Sequence, residues 1–159
     1  MHAIQERHPL AVDLLAFAVG ALLPLAFAPF GYWPLAILLP AVLLWSWDGA
    51  TPRRAASRGG LFGLGAYGFG IYWIFISLHE YGNAPAPFAV LATFIVVLVM
   101  ALYPAVLGWL TVRWGPPPGP ARWLLMVPAL WTLLDWVRSW LFTGFPWLAP
   151  GYSQTDSPL

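Results

Sequence analysis

The chain is predicted to be an all-α, polytopic bundle of about five transmembrane helices with a cytoplasmic N-terminus, and three observations carry that prediction. Hydrophobic residues make up 60% of the 159 positions and charged residues 8%, whereas soluble domains hold roughly 45–50% apolar and about 25% charged residues. The apolar residues gather in runs long enough to cross hydrocarbon, separated by short segments rich in proline, glycine and arginine. The arginines are also shared unevenly between alternate connections, as the positive-inside rule requires. A water-soluble core cannot be covered with so few charges, and a net charge of +1 gives no reason to expect nucleic acid as a partner. The sequence has no cysteine, which excludes disulfides, thiolate metal sites and a thiol nucleophile within these residues. All seven basic residues are arginine, so there is no lysine either.

The first span lies near residues 10–28, with Asp13 near its start and Pro24 near its end. Arg7 ahead of a run ending Ala26-Phe27-Ala28 imitates a secretory leader. Pro29 follows the would-be cleavage site directly and further spans come after it, so this helix is read as uncleaved. Phe30-Gly31-Tyr32-Trp33-Pro34 turns the chain back, its Tyr-Trp pair suiting a membrane interface. A short second span occupies 33–47, and Asp48 to Arg58 reads as a polar loop with three arginines. The third span is 59–78, followed by a loop from His79 to Pro87. The fourth and longest is 88–112, interrupted by Pro104, and the proline-rich connection from Arg113 to Arg122 leads to the fifth, 123–142. Residues 1–142 are thus one helical membrane domain. With the N-terminus inside, six arginines face the cytoplasm and only Arg138 faces out. An odd number of spans then delivers 143–159 to the periplasmic side as a loop, which reads as cut short at Leu159.

Gly63-Leu64-Gly65-Ala66-Tyr67-Gly68 matches the dinucleotide pattern G-x-G-x-x-G, but no strand precedes it. Inside an apolar span, small residues four apart let another helix approach closely. His79 and Glu80 are adjacent, without a second histidine at ligand spacing, so they read as polar residues at a helix exit and no metal site is expected. Asp135 and Arg138 stand three apart on one helix face and read as a structural ion pair or as substrate contacts. Phe145, Trp147 and Tyr152 either form an interfacial aromatic belt or, with Gln154 and the turns between them, shape a ligand site. Together with Trp73 of the third span they are the candidate substrate-binding residues.

The run Leu134-Asp135-Trp136-Val137-Arg138-Ser139-Trp140-Leu141-Phe142-Thr143-Gly144-Phe145-Pro146-Trp147-Leu148, continuing to Gly151-Tyr152-Ser153-Gln154, closely resembles the apolipoprotein N-acyltransferase family of Gram-negative inner membranes. Leu25 to Ala36, Gly68 to Ser77 with Tyr81-Gly82, and Pro128-Ala129-Leu130-Trp131 resemble further blocks of the same family, in order. The resemblance implies an enzyme that moves an acyl chain from a phospholipid to the N-terminal diacylglyceryl-cysteine of lipoproteins. It also implies a nitrilase-like periplasmic domain with a Glu-Lys-Cys triad, in cis or as a separate chain. Without cysteine or lysine these 159 residues cannot supply that triad, and Glu80 does not match its glutamate, so no catalytic residue is assigned here and no cofactor is expected. What the resemblance leaves to this chain is a membrane platform for phospholipid and lipoprotein substrates. The alternatives are a small polytopic transporter using Asp13, Asp135 and Arg138, or a non-catalytic membrane partner subunit.

Overall fold

A computed structural model describes residues 9–155. Arg7 and the last four residues, on which the orientation and the mid-loop ending partly rest, lie outside that range. The described residues are helical, with no strand among them. Helix α1 is Pro9–Leu22, extended by a 3-10 turn Leu23–Ala26; α2 is Leu35–Ser46 and α3 is Pro52–Gly70. The short α4, Trp73–Ile76, continues as a π turn Ser77–Tyr81. Helix α5 is Ala86–Trp114, and α6, Val127–Arg138, is entered through a π turn Ala121–Met126. Two 3-10 turns, Leu141–Thr143 and Pro150–Gln154, shape the end of the chain.

Two stretches, Pro9–Ala26 and Ala86–Trp114, are long and apolar enough to cross a membrane, and a third qualifies if α3 and α4, bent by 45°, count as one. Helix α2 has 12 residues, about 18 Å, against a hydrocarbon core of about 30 Å. Helix α5 is apolar on every face, exposing Phe88, Leu91, Phe94, Ile95, Leu98 and Leu102, as a helix surrounded by hydrocarbon does.

One expectation is corrected. Asp48 to Arg58 is not a loop throughout, because Thr51 accepts a hydrogen bond from the Arg54 N–H at 3.3 Å and caps α3, with Pro52 in the first turn. Arg53, Arg54 and Arg58 are therefore helical. Arg58 is buried, its Nε donating to Asp13 at 3.0 Å and its Nη1 to the Ser46 carbonyl, while Arg54 lies 3.3 Å from the same aspartate. The polar group ties α1, α2 and α3 together at one end of the bundle.

Helix directions follow from which residues meet. Asp13 meets Arg58, Gly20 meets Phe62 and Pro24 meets Gly70, so α1 and α3 are parallel. Gly108 meets Ala55, Gly59 meets Pro104 and Gly63 meets Ala101, so α3 and α5 are antiparallel. The three glycines of the G-x-G-x-x-G string thereby divide. Gly63 abuts α5, Gly65 abuts Phe17 and Ala21 of α1, and Gly68 has nothing within 4 Å of where a Cβ would stand. Around these contacts Ala16, Val19, Leu43, Trp47, Phe62 and Leu107 form the main core, and Tyr67, Ile71, Val97 and Met100 a second one nearer the bend.

Candidate functional site

At the end of the bundle opposite Asp13 and Arg58, the centre of the site is Arg138 in the last turn of α6. A cation belongs there, because the terminal carbonyls of a helix carry partial negative charge. This guanidinium is also buried, at 1% exposure, and a buried charge must be matched by partners. Its Nη2 donates to Asp135 Oδ1 at 2.7 Å, and its Nη1 donates to the Trp147 carbonyl at 2.7 Å and to the Tyr67 hydroxyl. The Arg138 carbonyl accepts from the Phe145 N–H at 3.0 Å. One side chain thus joins α6, α3 and the segment that follows α6.

That segment needs holding. Thr143 has φ 77°, Gly144 has φ 83° and Leu148 has φ 57°, a region that only glycine enters freely. At Thr143 and Leu148 strain of about 1–3 kcal/mol each persists only where surrounding contacts fix the backbone. The bonds to Arg138 and the seating of Leu148 on Gly70, where a Cβ would lie 2.5 Å from Leu148 Cδ1, provide those contacts. Pinned this way, Trp147 packs on Trp73 of α4 with ring centroids 5.1 Å apart and on Phe145 at 6.4 Å.

Three of the five candidate substrate-binding residues, Trp73, Phe145 and Trp147, therefore share one aromatic cluster, and two stand apart. Tyr152 is exposed on the turn Pro150–Gln154, and Gln154 Nε2 donates to Ser153 Oγ at 2.9 Å. No hydrogen bond or ring contact joins either residue to the cluster. Sequence reasoning missed Tyr67, which lies among the glycines of α3, 71 residues from Arg138. Its signal was a phenolic hydroxyl in the middle of an apolar, glycine-rich stretch, where a polar group seeks a partner.

Beneath the pinned segment is a cavity of about 30 Å³ lined by Tyr67, Tyr103, Asp135 and Arg138 among apolar neighbours, space for a single water. Beside α4 a wider apolar recess of about 500 Å³ opens between α1, α3, α4 and α5, walled by Phe17, Leu64, Tyr72, Phe75, Phe94 and Val97. His79 and Glu80 stand 4.0 Å apart at the exit of α4, with His79 Nδ1 2.9 Å from the Ala84 carbonyl oxygen. Among the described residues no three His, Cys, Asp or Glu side chains gather as metal ligands do.

Fold and site together define a helical membrane domain that carries a pinned aromatic segment at one end. Residues 19–159 match the family model described as apolipoprotein N-acyltransferase N-terminal domain. The chain is 49% identical over 146 residues to the apolipoprotein N-acyltransferase of Methylococcus capsulatus, covering 92% of this chain and 29% of that protein. It is 43% identical over 152 residues to that of Vibrio cholerae, covering 96% and 30%, and 46% identical over 148 residues to that of Coxiella burnetii, covering 92% and 30%. The chain belongs to the apolipoprotein N-acyltransferase family. It spans 29 to 30% of the length of these curated relatives.

Proposed function

We propose that these residues are the membrane-embedded N-terminal part of an apolipoprotein N-acyltransferase of the Gram-negative inner membrane. The reaction is transfer of an acyl chain from a phospholipid to the N-terminal diacylglyceryl-cysteine of lipoproteins, and the chemistry resides in a nitrilase-like domain in cis or on a separate chain. The observation that carries this reading is the aromatic cluster of Trp73, Phe145 and Trp147, pinned by Arg138 at the same end of the bundle as the apolar recess beside α4. Both substrates keep their tails in hydrocarbon, so a recess open to the side and a rigid aromatic shelf suit lipid handling. Tyr152 and Gln154, on the separate turn Pro150–Gln154, are proposed as further substrate contacts apart from the shelf. The charges a transporter would need are already engaged, Asp13 with Arg54 and Arg58, and Asp135 with Arg138.

The proposed topology has five crossings, with α2 completed by its flanking turns, the N-terminus in the cytoplasm and residues 143–159 in the periplasm. Arg53, Arg54, Arg58, Arg113 and Arg122 belong to one end of the helix array and Arg138 to the other, which supports this orientation. Cysteines at the exposed positions Pro117 and Thr155 are expected to separate in intact cells treated with an impermeant thiol reagent. Position 155 labels and position 117 does not; the reverse pattern would invert the topology.

For the activity, the purified chain is given phospholipid and a diacylated lipoprotein peptide, and triacylated product is read by mass. No product is expected, because these residues hold no thiol to form an acyl thioester. Joined after Leu159 to the remainder of the Vibrio cholerae relative, the same residues are expected to support transfer. Product from the chain alone would refute the division of labour, and a well-folded but inactive fusion would refute the functional reading.

A further inference from the structure

A guanidinium is a fork of N–H donors with no acceptor of its own. Arg138 directs bonds to Asp135, Tyr67 and the Trp147 carbonyl, yet its Nε is buried and has no partner among the described residues. A buried donor on a charged group that stays unmet is costly, so folded proteins supply an acceptor, either from the chain or as ordered water. Tyr67 makes a second demand of the same kind. Its hydroxyl oxygen accepts from Arg138 Nη1, and no acceptor for its own proton stands among the described residues.

Both side chains line the cavity of about 30 Å³ where α3, α5 and α6 meet. Tyr103 of α5 lines it as well, and its hydroxyl makes no hydrogen bond among the described residues. Apart from Asp135, no other lining side chain carries an acceptor, since the walls are otherwise aliphatic residues, Phe62 and Trp131. Apolar cavities stay dry, whereas a cavity bordered by unmet polar groups takes water, which bonds to about three of them.

Size and charge select the occupant. The volume equals the share of one molecule in liquid water, too little for any part of a lipid beyond a single methylene group or two. A halide ion would also accept from these donors. Asp135 already pairs with Arg138 at 2.7 Å, however, so no surplus positive charge remains to hold an anion in an apolar surround. Water alone both accepts and donates, and the tyrosines ask for both.

We propose that this cavity is a site for one ordered water, which accepts from the Arg138 guanidinium and the Tyr67 hydroxyl and donates to the Tyr103 hydroxyl. Tyr103 shares no direct hydrogen bond with Arg138, and through this water it ties α5 to the guanidinium that holds the Trp147 carbonyl. The site rests on the cavity and its polar walls and does not depend on the acyl-transfer reading.

The test has two arms. The first is a crystal structure of the purified chain, grown from lipid with sodium bromide present, at a resolution that shows ordered solvent. One oxygen peak within about 3.2 Å of the guanidinium and of both hydroxyls is expected, without an anomalous signal from bromide. An empty cavity, or bromide in it, would overturn the assignment. The second arm measures unfolding midpoints in detergent for variants that keep each ring and remove only a hydroxyl. Tyr103→Phe is expected to lower the midpoint by about 2–4 °C, and Tyr67→Phe by more, because Arg138 then also loses a direct bond. The double variant is expected to lose clearly less than the sum, since the first substitution already loosens the shared water. Tyr72→Phe, at an exposed tyrosine outside the cavity, is expected to combine additively with Tyr67→Phe. Additive losses for Tyr67→Phe with Tyr103→Phe, or the same shortfall with Tyr72→Phe, would overturn the proposal.

Discussion

Arg138→Ala is expected to destabilise the folded chain by about 3–5 kcal/mol, the range for breaking a buried ion pair by removing one partner. The loss is large because the substitution leaves the half-buried Asp135 unpaired, the Tyr67 hydroxyl without its donor and the Trp147 carbonyl unbonded. Strain at Thr143 and Leu148 is then held only by the Phe145 N–H bond to the backbone carbonyl of residue 138 and by the seating of Leu148 on Gly70. Arg138→Lys is expected to rescue little, since one ammonium cannot reproduce a planar fork that serves α6, α3 and the Trp147 backbone together. Two measurements check this: the midpoint of thermal unfolding in detergent, and limited proteolysis between residues 141 and 150. In Arg138→Ala the midpoint falls and cleavage there accelerates. A segment that stays resistant would mean that Trp73, Phe145 and Leu148 hold it by packing alone. Adding Asp135→Asn to Arg138→Met is expected to recover part of the stability lost in Arg138→Met, because no unpaired charge remains.

The helices were legible because apolar runs of sufficient length have few alternatives in hydrocarbon, where every backbone group must find a partner inside the chain. The start of α3 was harder. Three arginines in six residues look like a solvated loop, and the Thr51-Pro52 cap that contradicts this is a weaker signal than the charges. What makes Arg58 tolerable inside the bundle is Asp13, 45 residues earlier, together with the Ser46 carbonyl, and no local pattern reveals a pairing of that reach. The same limit governs the site. The i, i+3 spacing of Asp135 and Arg138 is visible in sequence, but the reach of Arg138 to Tyr67 and to the Trp147 carbonyl depends on how α3 and α6 approach. Trp73 and Trp147 meet because α3 bends at Ile71 and Tyr72, after the last glycine of an aromatic string whose composition gives no angle. Tyr152 and Gln154 lie apart from them because Pro150 opens a separate turn, closed by a bond from Ser153 Oγ to the Pro150 carbonyl at 2.6 Å.

Gly63→Leu is expected to abolish accumulation of folded protein, whereas Gly68→Ala, five residues along the same helix, is expected to be neutral or slightly stabilising. A Cβ at Gly63 would lie 2.7 Å from Ala101 Cα and 2.8 Å from Pro104 Cγ, so even alanine there forces α3 and α5 apart. At Gly59 a Cβ would overlap the Pro104 carbonyl itself. Overpacking typically costs about 1–3 kcal/mol where side chains can shift, and more where backbone is in the way. Helix association in a membrane relies on close packing without a hydrophobic driving force, so a widened α3–α5 contact has no other source of cohesion. At Gly68 no atom lies within 4 Å, and alanine there gains about 1 kcal/mol or less from higher helix propensity. The comparison reads the yield of monodisperse protein from membranes and its unfolding midpoint for Gly63→Ala, Gly63→Leu, Gly65→Ala and Gly68→Ala. Graded damage at Gly63 and Gly65 with none at Gly68 is the signature of glycines that admit neighbouring helices on two faces of α3. Equal damage at all three would show instead that the string acts as a unit, as glycines that cradle a ligand do, and the packing account of α3 would fail.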